Sequence, residues 1–408
     1  MRRERTNERT SHITQAAKSD VGALLIFLVG ANMRTAITIV PPILTNIQDS
    51  FSMPEWFLGS LTTIPLICFG LLSPTVTYFI KRFGILSVTI VDLGLLTIGN
   101  FIRVYSFTSL LCGTILIGCG IAMLNVLAPT LVSYLFPMQI GTYTGMYVFA
   151  LSLSSSISAG FSAVISHLIT WQVMIQFVSI IPVITIVVAL MLRSSGKRKV
   201  SSKKQVSSYN PAVTVSVWKR PLAWALGGFM GLQSLLFYSI LTWLPPILMA
   251  SGINQNTAGY LLGLLQLVAL PISFVVPRII SSVAKQSTMI WTISGLFIIG
   301  LGSLMLAETS FWFAVAACVL LGLSTNMAFS EAMTLFSLKT RTPNETASVS
   351  GMGQSFGYLL AATGPMICGW MHGLTTNWFA VLIFLLFVTI VMTFVGLLVD
   401  REAYVFEK

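Results

Sequence analysis

The stretch from Val21 to Ile47, VGALLIFLVGANMRTAITIVPPILTNI, determines the class of this protein. It is apolar over most of its 27 residues, and a helix of roughly 20 residues is long enough to cross a bilayer. Asn32 and Arg34 lie near its centre. An arginine at membrane depth costs about 2.5 to 15 kcal/mol, and Arg34 is too far from either end of the span to reach the lipid headgroups. We therefore expect Arg34 to meet water, an internal partner or an anionic ligand, with Asn32 framing a small binding site beside it.

The composition is that of a polytopic membrane protein. Of the 408 residues, 55% are hydrophobic and 9% are charged, whereas about a quarter of a soluble chain is charged. Residues 1–20 are basic and contain no apolar run, so we interpret them as a tail and not as a signal peptide. The five cysteines fall inside apolar spans without metal-ligand spacing. No phosphate-binding loop or catalytic triad appears, so we expect no cofactor, no metal and no enzyme activity.

Hydropathy predicts an all-α fold with twelve transmembrane helices. The predicted organisation is a cytoplasmic N-tail (1–20), an N-terminal six-helix bundle (21–193), a Ser- and Lys-rich linker (194–220), a C-terminal six-helix bundle (221–399) and a C-tail (400–408). The expected spans are 21–47, 55–80, 85–105, 108–135, 142–166, 172–193, 221–249, 256–280, 286–306, 311–337, 346–371 and 376–399.

The net charge of +11 is explained by membrane topology. In the twelve-span arrangement, 21 of the 23 Lys and Arg residues fall on one side of the membrane. This positive-inside pattern predicts a plasma-membrane protein with both termini cytoplasmic and with no nucleic-acid partner. The two exceptions are Arg34 and Arg103, and we expect Arg103 to extend from the outer end of span 3 toward the interface.

The two halves of the sequence are related. The tetrapeptide PPIL occurs at 41–44 and again at 245–248, and Gly118 has a counterpart in Gly322, both at an offset of 204 residues. The offset covers six helices, so each helix and its copy run in the same direction. Two bundles related by an axis along the membrane normal follow, with a substrate site between them near the midplane. We expect the repeated prolines to kink or end spans 1 and 7 near the outer gate.

Short motifs typical of one transporter family run nearly end to end along the chain. They include NMR at 32–34, LLSP at 71–74, RFG at 82–84, GIA at 120–122, TGMY at 144–147, GLQSLLFY at 231–238, WLPP at 243–246, SGM at 350–352 and GP at 364–365. On these stretches the chain resembles the major facilitator superfamily, and within it the cyanate permease and 2-nitroimidazole transporter family. The resemblance implies a monomeric transporter in which spans 1, 4, 7 and 10 line the cavity.

The chain departs from the family pattern at several positions. Lys81 stands where the loop between spans 2 and 3 usually has an acidic residue, and the trailing basic residues are replaced by apolar ones. We therefore assign Lys81 and Arg82 to a gate or packing role. Thr35 replaces a more usual proline, and Glu331 replaces an apolar residue in span 10.

Three ionisable residues lie well inside the spans: Arg34, Asp92 and Glu331. Arg34 either binds an anion through its planar donor fork or forms a structural pair with Glu331 or Asp92, and we favour the ligand. Glu331 is either a proton carrier, because a buried carboxyl group exchanges its proton more readily near neutral pH, or a structural partner. For Asp92 we favour helix packing or gating.

Amide and aromatic residues complete the expected site. Gln233 needs a partner at membrane depth, so it should face the cavity with Tyr238 on span 7. Other predicted substrate-binding residues are Asn125 on span 4, Tyr147 on span 5, and Gln354 and Tyr358 on span 11.

The expected function is secondary active transport of a small anion or a small polar planar compound, cyanate- or nitroimidazole-like, by alternating access. The chain has no nucleotide site, so a proton gradient is the expected energy source. The alternative is a drug or metabolite efflux pump of the same fold, and a non-transporting membrane sensor is a further alternative.

Overall fold

The structure is a computed structural model that describes residues 2–194, 217–282, 286–341, 343–400 and 404–406. Within these ranges the regular secondary structure is helical. Most of the predicted linker, residues 195–216, lies outside the described residues.

The first half contains nine α-helices. Span 1 is formed by α1 and α2, span 2 by α3 and α4, and span 6 by α8 and α9. The helices are α1 (Arg2–Thr38), α2 (Leu44–Phe51), α3 (Glu55–Leu58), α4 (Ser60–Phe83), α5 (Ile85–Ile102), α6 (Phe107–Leu135), α7 (Ile140–Ile169), α8 (Trp171–Val178) and α9 (Ile180–Ser194).

The second half has one continuous helix for each span. A short 3-10 helix at Val217–Lys219 precedes them. The helices are α10 (Pro221–Ala250), α11 (Gln255–Ser282), α12 (Ser287–Met305), α13 (Phe311–Leu338), α14 (Pro343–Thr375) and α15 (Trp378–Val399).

The helix starts and stops follow local sequence. Ser106 caps α6 and forms a reciprocal capping box with Ser109, while Asn377 caps α15 through the Phe379 amide. Gly84 separates α4 from α5 with a φ of +81°, a conformation that favours glycine. The N-tail is helical and continuous with span 1, because α1 begins at Arg2.

The two proline pairs behave differently. In the first half α1 ends at Thr38, and a 3-10 helix at Pro41–Ile43 follows before α2, as the prolines predict. In the second half Pro245 and Pro246 lie inside α10, which continues to Ala250. Of the two outcomes expected at these prolines, a kink or a helix end, the structure excludes the end in span 7, because about one helical turn follows them.

Nine helical spans among the described residues are long and apolar enough to cross a membrane. Together with α4, α11 and α14 they make twelve spans. These three helices contact the opposite bundle, α4 against α14 and α11 against α7.

Glycines bring helices of the two bundles into close contact. A Cβ on Gly59 would overlap the Pro365 carbonyl oxygen, and one on Gly263 would lie 2.9 Å from the Gly160 Cα. Close approach of this kind is how transmembrane helices gain packing energy.

The bundles are also joined by hydrogen bonds. We call the face at which span 1 begins and span 12 ends the terminal face, and the opposite one the distal face. Near the distal face, Gln255 donates to the Pro42 carbonyl oxygen (2.8 Å) and to the Asn46 side-chain oxygen (2.5 Å). At mid-height, Gln266 donates to the Ser155 hydroxyl (2.6 Å). The bundles are thus closed against each other on the distal side.

Candidate substrate site

A cavity lies between the bundles near mid-height. It measures about 540 Å³, counting the part open to solvent, and has room for about three water-sized groups. The lining residues come from spans 1, 5, 7, 8, 10 and 11. They are Arg34, Ser152, Ser155, Gln233, Ser234, Phe237, Tyr238, Gln266, Ala269, Thr325, Asn326, Phe329 and Tyr358.

Arg34 supplies the charge of this cavity. Its side chain is partly exposed, and its guanidinium carbon lies 4.8 Å from the centroid of the Phe237 ring. The hydroxyl groups of Tyr238 and Tyr358 lie within its electrostatic reach. A cation over an aromatic face is attracted by the ring quadrupole, so Phe237 holds the guanidinium without neutralising it.

Neither structural pair considered for Arg34 forms among the described residues. Asp92 and Glu331 are both fully buried, and within the described part of the chain neither carboxyl group has a hydrogen-bond partner. The donor fork of Arg34 therefore faces the cavity without a carboxylate from either residue.

Amides and hydroxyls surround the cation. Gln233 is 1% exposed and donates to the Ser234 hydroxyl at 2.7 Å. Gln266 and Ser155 line the cavity and hydrogen-bond across the bundle interface. The site thus joins polar groups of both bundles around one charge.

Four predicted site residues lie together on this wall: Arg34, Gln233, Tyr238 and Tyr358. The structure places Asn32 elsewhere, since its amide donates to the Leu28 carbonyl oxygen and to the Thr185 hydroxyl of α9. Residues two apart on a helix point to nearly opposite sides, so Asn32 and Arg34 do not share a face.

The other three predicted residues also lie off the cavity wall. The backbone of Tyr147 packs against span 1, where a Cβ on Gly30 would overlap the Tyr147 carbonyl oxygen. Gln354 donates to Ser350 one turn earlier on α14. Asn125 is partly buried on α6.

Among the described residues, span 4 contributes none to the cavity wall, which corrects the expectation that spans 1, 4, 7 and 10 line it. The reason is the packing of α6. A Cβ on Gly118 would lie 2.8 Å from the Pro65 Cα of α4, and one on Gly120 would lie 2.7 Å from the Leu96 side chain of α5. These faces of α6 therefore pack against spans 2 and 3.

The buried carboxyl groups lie away from the cavity wall. Asp92 lies between α5 and α6, where a Cβ on Gly120 would be 3.4 Å from its Oδ1 atom. Glu331 lies about two turns from the terminal end of α13 and within electrostatic reach of Asp400 at the end of α15. The Asp400 carboxylate in turn accepts a hydrogen bond from the main-chain N–H of Gln286 at 2.7 Å.

The basic residues of the gate region lie at the terminal face. Arg82 is exposed, and its guanidinium donates to the Tyr78 hydroxyl at 3.1 Å. Lys81 comes one residue earlier, near the end of α4. Arg103 does not extend to the interface as expected, because it is 3% exposed and donates inward to the Ala36 carbonyl oxygen at 3.0 Å.

Several lining residues were not predicted, among them Ser152, Ser155, Gln266 and Asn326. A signal for them exists in the sequence. The run SLSSSIS at 152–158 places hydroxyls inside an apolar span, and Gln266 is an amide at membrane depth like Gln233. Like Gln233, Gln266 needs a hydrogen-bond partner at that depth and should therefore face the cavity.

Comparison with known proteins agrees with this architecture. The chain is 32% identical over 387 residues to the uncharacterized transporter YycB of Bacillus subtilis, covering 94% of each chain. It is 30% identical to the 2-nitroimidazole transporter of Escherichia coli, covering 92% of this chain and 94% of that one. The cyanate transport protein CynX of Escherichia coli is 22% identical, covering 87% and 91%.

The fold is shared with solved transporters. A crystal structure of the nucleoside transporter NupG superposes with a TM-score of 0.76 at 12% identity, covering 93% of this chain and 100% of that chain. The Major Facilitator Superfamily model matches residues 22–365. With twelve helices in two matched bundles and a polar cavity between them, the chain belongs to the major facilitator superfamily and is a multi-pass membrane transporter of small solutes.

Proposed function

We propose that this protein carries a small anion, or a small polar planar compound with anionic character, across the plasma membrane by alternating access between its two bundles. The observation that supports this most directly is Arg34, a guanidinium in the central cavity paired with neither Asp92 nor Glu331. Such a group binds an anion through two parallel N–H donors.

The walls of the cavity favour a flat solute. Phe237, Tyr238 and Tyr358 present rings beside the cation, and Gln233 and Asn326 present amides. The room for about three water-sized groups suits a molecule of a few heavy atoms. Two relatives are named for 2-nitroimidazole and for cyanate, which are small planar or linear solutes of this kind.

The direction of opening follows from the contacts between bundles. Gln255 and Thr242 hydrogen-bond across the distal side, to Asn46 and Thr62 respectively. If the terminal face is cytoplasmic, as the Lys and Arg distribution predicts, these bonds close the outer side. We propose that transport breaks them and that the proton gradient drives the cycle through Glu331, whose carboxyl group is buried and has no hydrogen-bond partner among the described residues.

Efflux of apolar compounds is a second candidate. A groove of about 960 Å³, counting its open part, lies between α1, α7 and span 6, with apolar walls that include Ile39, Ile157 and Phe177. It offers a path from the bilayer to span 1 next to Arg34, because Thr35 lines it. The direction of net flux in vesicles of known orientation separates the two functions.

The test is uptake of cyanate and of 2-nitroimidazole into proteoliposomes that contain Arg34→Ala. We expect uptake of the true substrate to fall about tenfold to a hundredfold, since a charged hydrogen bond contributes roughly 1.5–3 kcal/mol. Arg34→Lys should recover part of the loss, because an ammonium keeps the charge without the planar fork.

Arg193→Ala is the matched control. Arg193 lies at the terminal end of α9, away from the cavity, so this variant removes one positive charge without touching the site and should transport normally. Unchanged uptake by Arg34→Ala would remove the anion site from the mechanism.

A further inference from the structure

A second buried arginine lies outside the substrate cavity. Arg103 follows the last residue of α5 and is 3% exposed, and a guanidinium keeps its charge in proteins. Its side chain crosses α6 at Gly113, where a Cβ would lie 2.5 Å from the Arg103 Cβ. Glycine at position 113 is therefore what admits the arginine to the interior.

One donor of Arg103 has a structural role. Its Nη1 donates to the Ala36 carbonyl oxygen at 3.0 Å. That oxygen lies in the last turn of α1, where the Val40 amide donates to Ile37 instead and residues 41 and 42 are prolines without an N–H. Carbonyl groups at a helix end need outside donors, so Arg103 caps the broken end of span 1.

The other donors of Arg103 are unused. Its Nε and Nη2 atoms are buried and have no hydrogen-bond partner among the described residues. They border a small cavity inside the first bundle with room for about one water-sized particle. Within the part of the chain that the structure describes, no acidic residue lines this cavity, and the polar residues on its wall besides Arg103 are Thr62 and Thr114.

A buried charge without a counter-charge is strongly unfavourable. The unused donors and the adjoining cavity together describe a place where an anion would remove that cost. We propose that the cavity at Arg103 binds a single halide-sized inorganic monoanion. The single positive charge, the small volume and the mostly apolar walls all disfavour a larger or divalent ion.

This site is separate from the proposed substrate site. Among the described residues the two cavities share no lining residue, so the inference does not rest on the proposed substrate. The Arg103 cavity includes Thr62, which hydrogen-bonds to Thr242 of the other bundle at 2.8 Å. An ion held there would stabilise the structure beside a distal contact.

The experiment measures thermal unfolding of the purified protein in detergent as sodium gluconate is replaced by sodium bromide at constant ionic strength. A site-bound ion raises the melting temperature in a saturable way. We expect saturation by bromide in the wild type and in Arg34→Gln, and at least a tenfold weaker apparent affinity in Arg103→Gln. Equal bromide responses in wild type and Arg103→Gln, or no response in wild type, would overturn the proposal.

A second measurement covers the case in which Arg103→Gln does not fold. Anomalous diffraction from wild-type crystals grown in bromide should show a peak beside the Arg103 guanidinium. A bromide peak only at Arg34 would assign the anion effect to the substrate site and reject the second one.

Discussion

In the first bundle the helix of span 1 stops at Thr38 and a 3-10 helix follows, whereas in the second bundle α10 runs through Pro245 and Pro246 to Ala250. The same PPIL sequence therefore supports two backbone conformations. A proline removes one N–H and disfavours the helical conformation of the residue before it, but tertiary contacts decide whether the helix continues.

The residues that pack near the two proline pairs also differ between the bundles. The repeat offset of 204 carries Arg103 to Ala307 and Gly113 to Ala317, and both alanines are buried. Thus the bundle with the broken helix has an arginine that caps the break and a glycine that admits it. The two halves share the order of their helices but differ in where they bury an arginine.

The two bundles also differ in their buried acidic residues, and replacing these residues should have the largest effect on transport. Asp92 in the first bundle and Glu331 in the second are both buried, and neither has a hydrogen-bond partner among the described residues. We expect Glu331→Gln to abolish proton-driven accumulation while solute exchange continues, because an amide cannot carry the proton. Asp92→Asn, in a packed position between α5 and α6, should retain both activities.

Both activities are measured in the same proteoliposomes, with and without an imposed pH gradient. Loss of accumulation in Asp92→Asn, with normal accumulation in Glu331→Gln, would show that Asp92 carries the proton and that Glu331 does not.

An intermediate effect, on stability, is expected when Gly113 is replaced by alanine and its counterpart Ala317 is replaced by glycine. In Gly113→Ala the new methyl group would lie 2.5 Å from the Arg103 Cβ and 2.6 Å from the Gly99 carbonyl oxygen. Overpacking of this kind costs about 1–3 kcal/mol. Ala317→Gly should cost about 1–2 kcal/mol through helix propensity and the loss of one buried methyl group. Thermal unfolding in detergent compares the two, and equal losses would show that Arg103 does not distinguish the bundles.

The smallest effect is expected at the prolines. Pro245→Ala restores an N–H inside a continuous helix and should stabilise the protein by up to about 1 kcal/mol. Pro41→Ala lies in the 3-10 helix after the break, where losing the rigid ring should destabilise by about 0.4–1 kcal/mol through the unfolded chain. Opposite shifts in melting temperature are the expected result, and shifts of the same sign would contradict the difference between the two backbones.

The architecture could be predicted from sequence because the bilayer permits few alternatives. A lipid-facing segment must satisfy its own backbone hydrogen bonds, so long apolar runs predict helices, and the twelve spans follow. The difference in backbone between the two PPIL sequences and the inward position of Arg103 could not be predicted, because each depends on which neighbour accepts or supplies a hydrogen bond.

The site could be predicted in part for a related reason. Polarity at membrane depth identified Arg34, Gln233, Tyr238 and Tyr358, which share one cavity. Polarity does not tell which neighbour a helix face meets, and Asn32, by contrast, faces Thr185 of span 6.

The glycine contacts have a consequence for mutational tolerance. A Cβ on Gly30, Gly59 or Gly322 would overlap a main-chain carbonyl oxygen of Tyr147, Pro365 or Leu265 respectively. The obstructing atom belongs to the backbone in every case, so shrinking a side chain elsewhere gives no relief. A random library selected for activity should return glycine alone at these three positions, and second-site suppressors of their replacement should not arise.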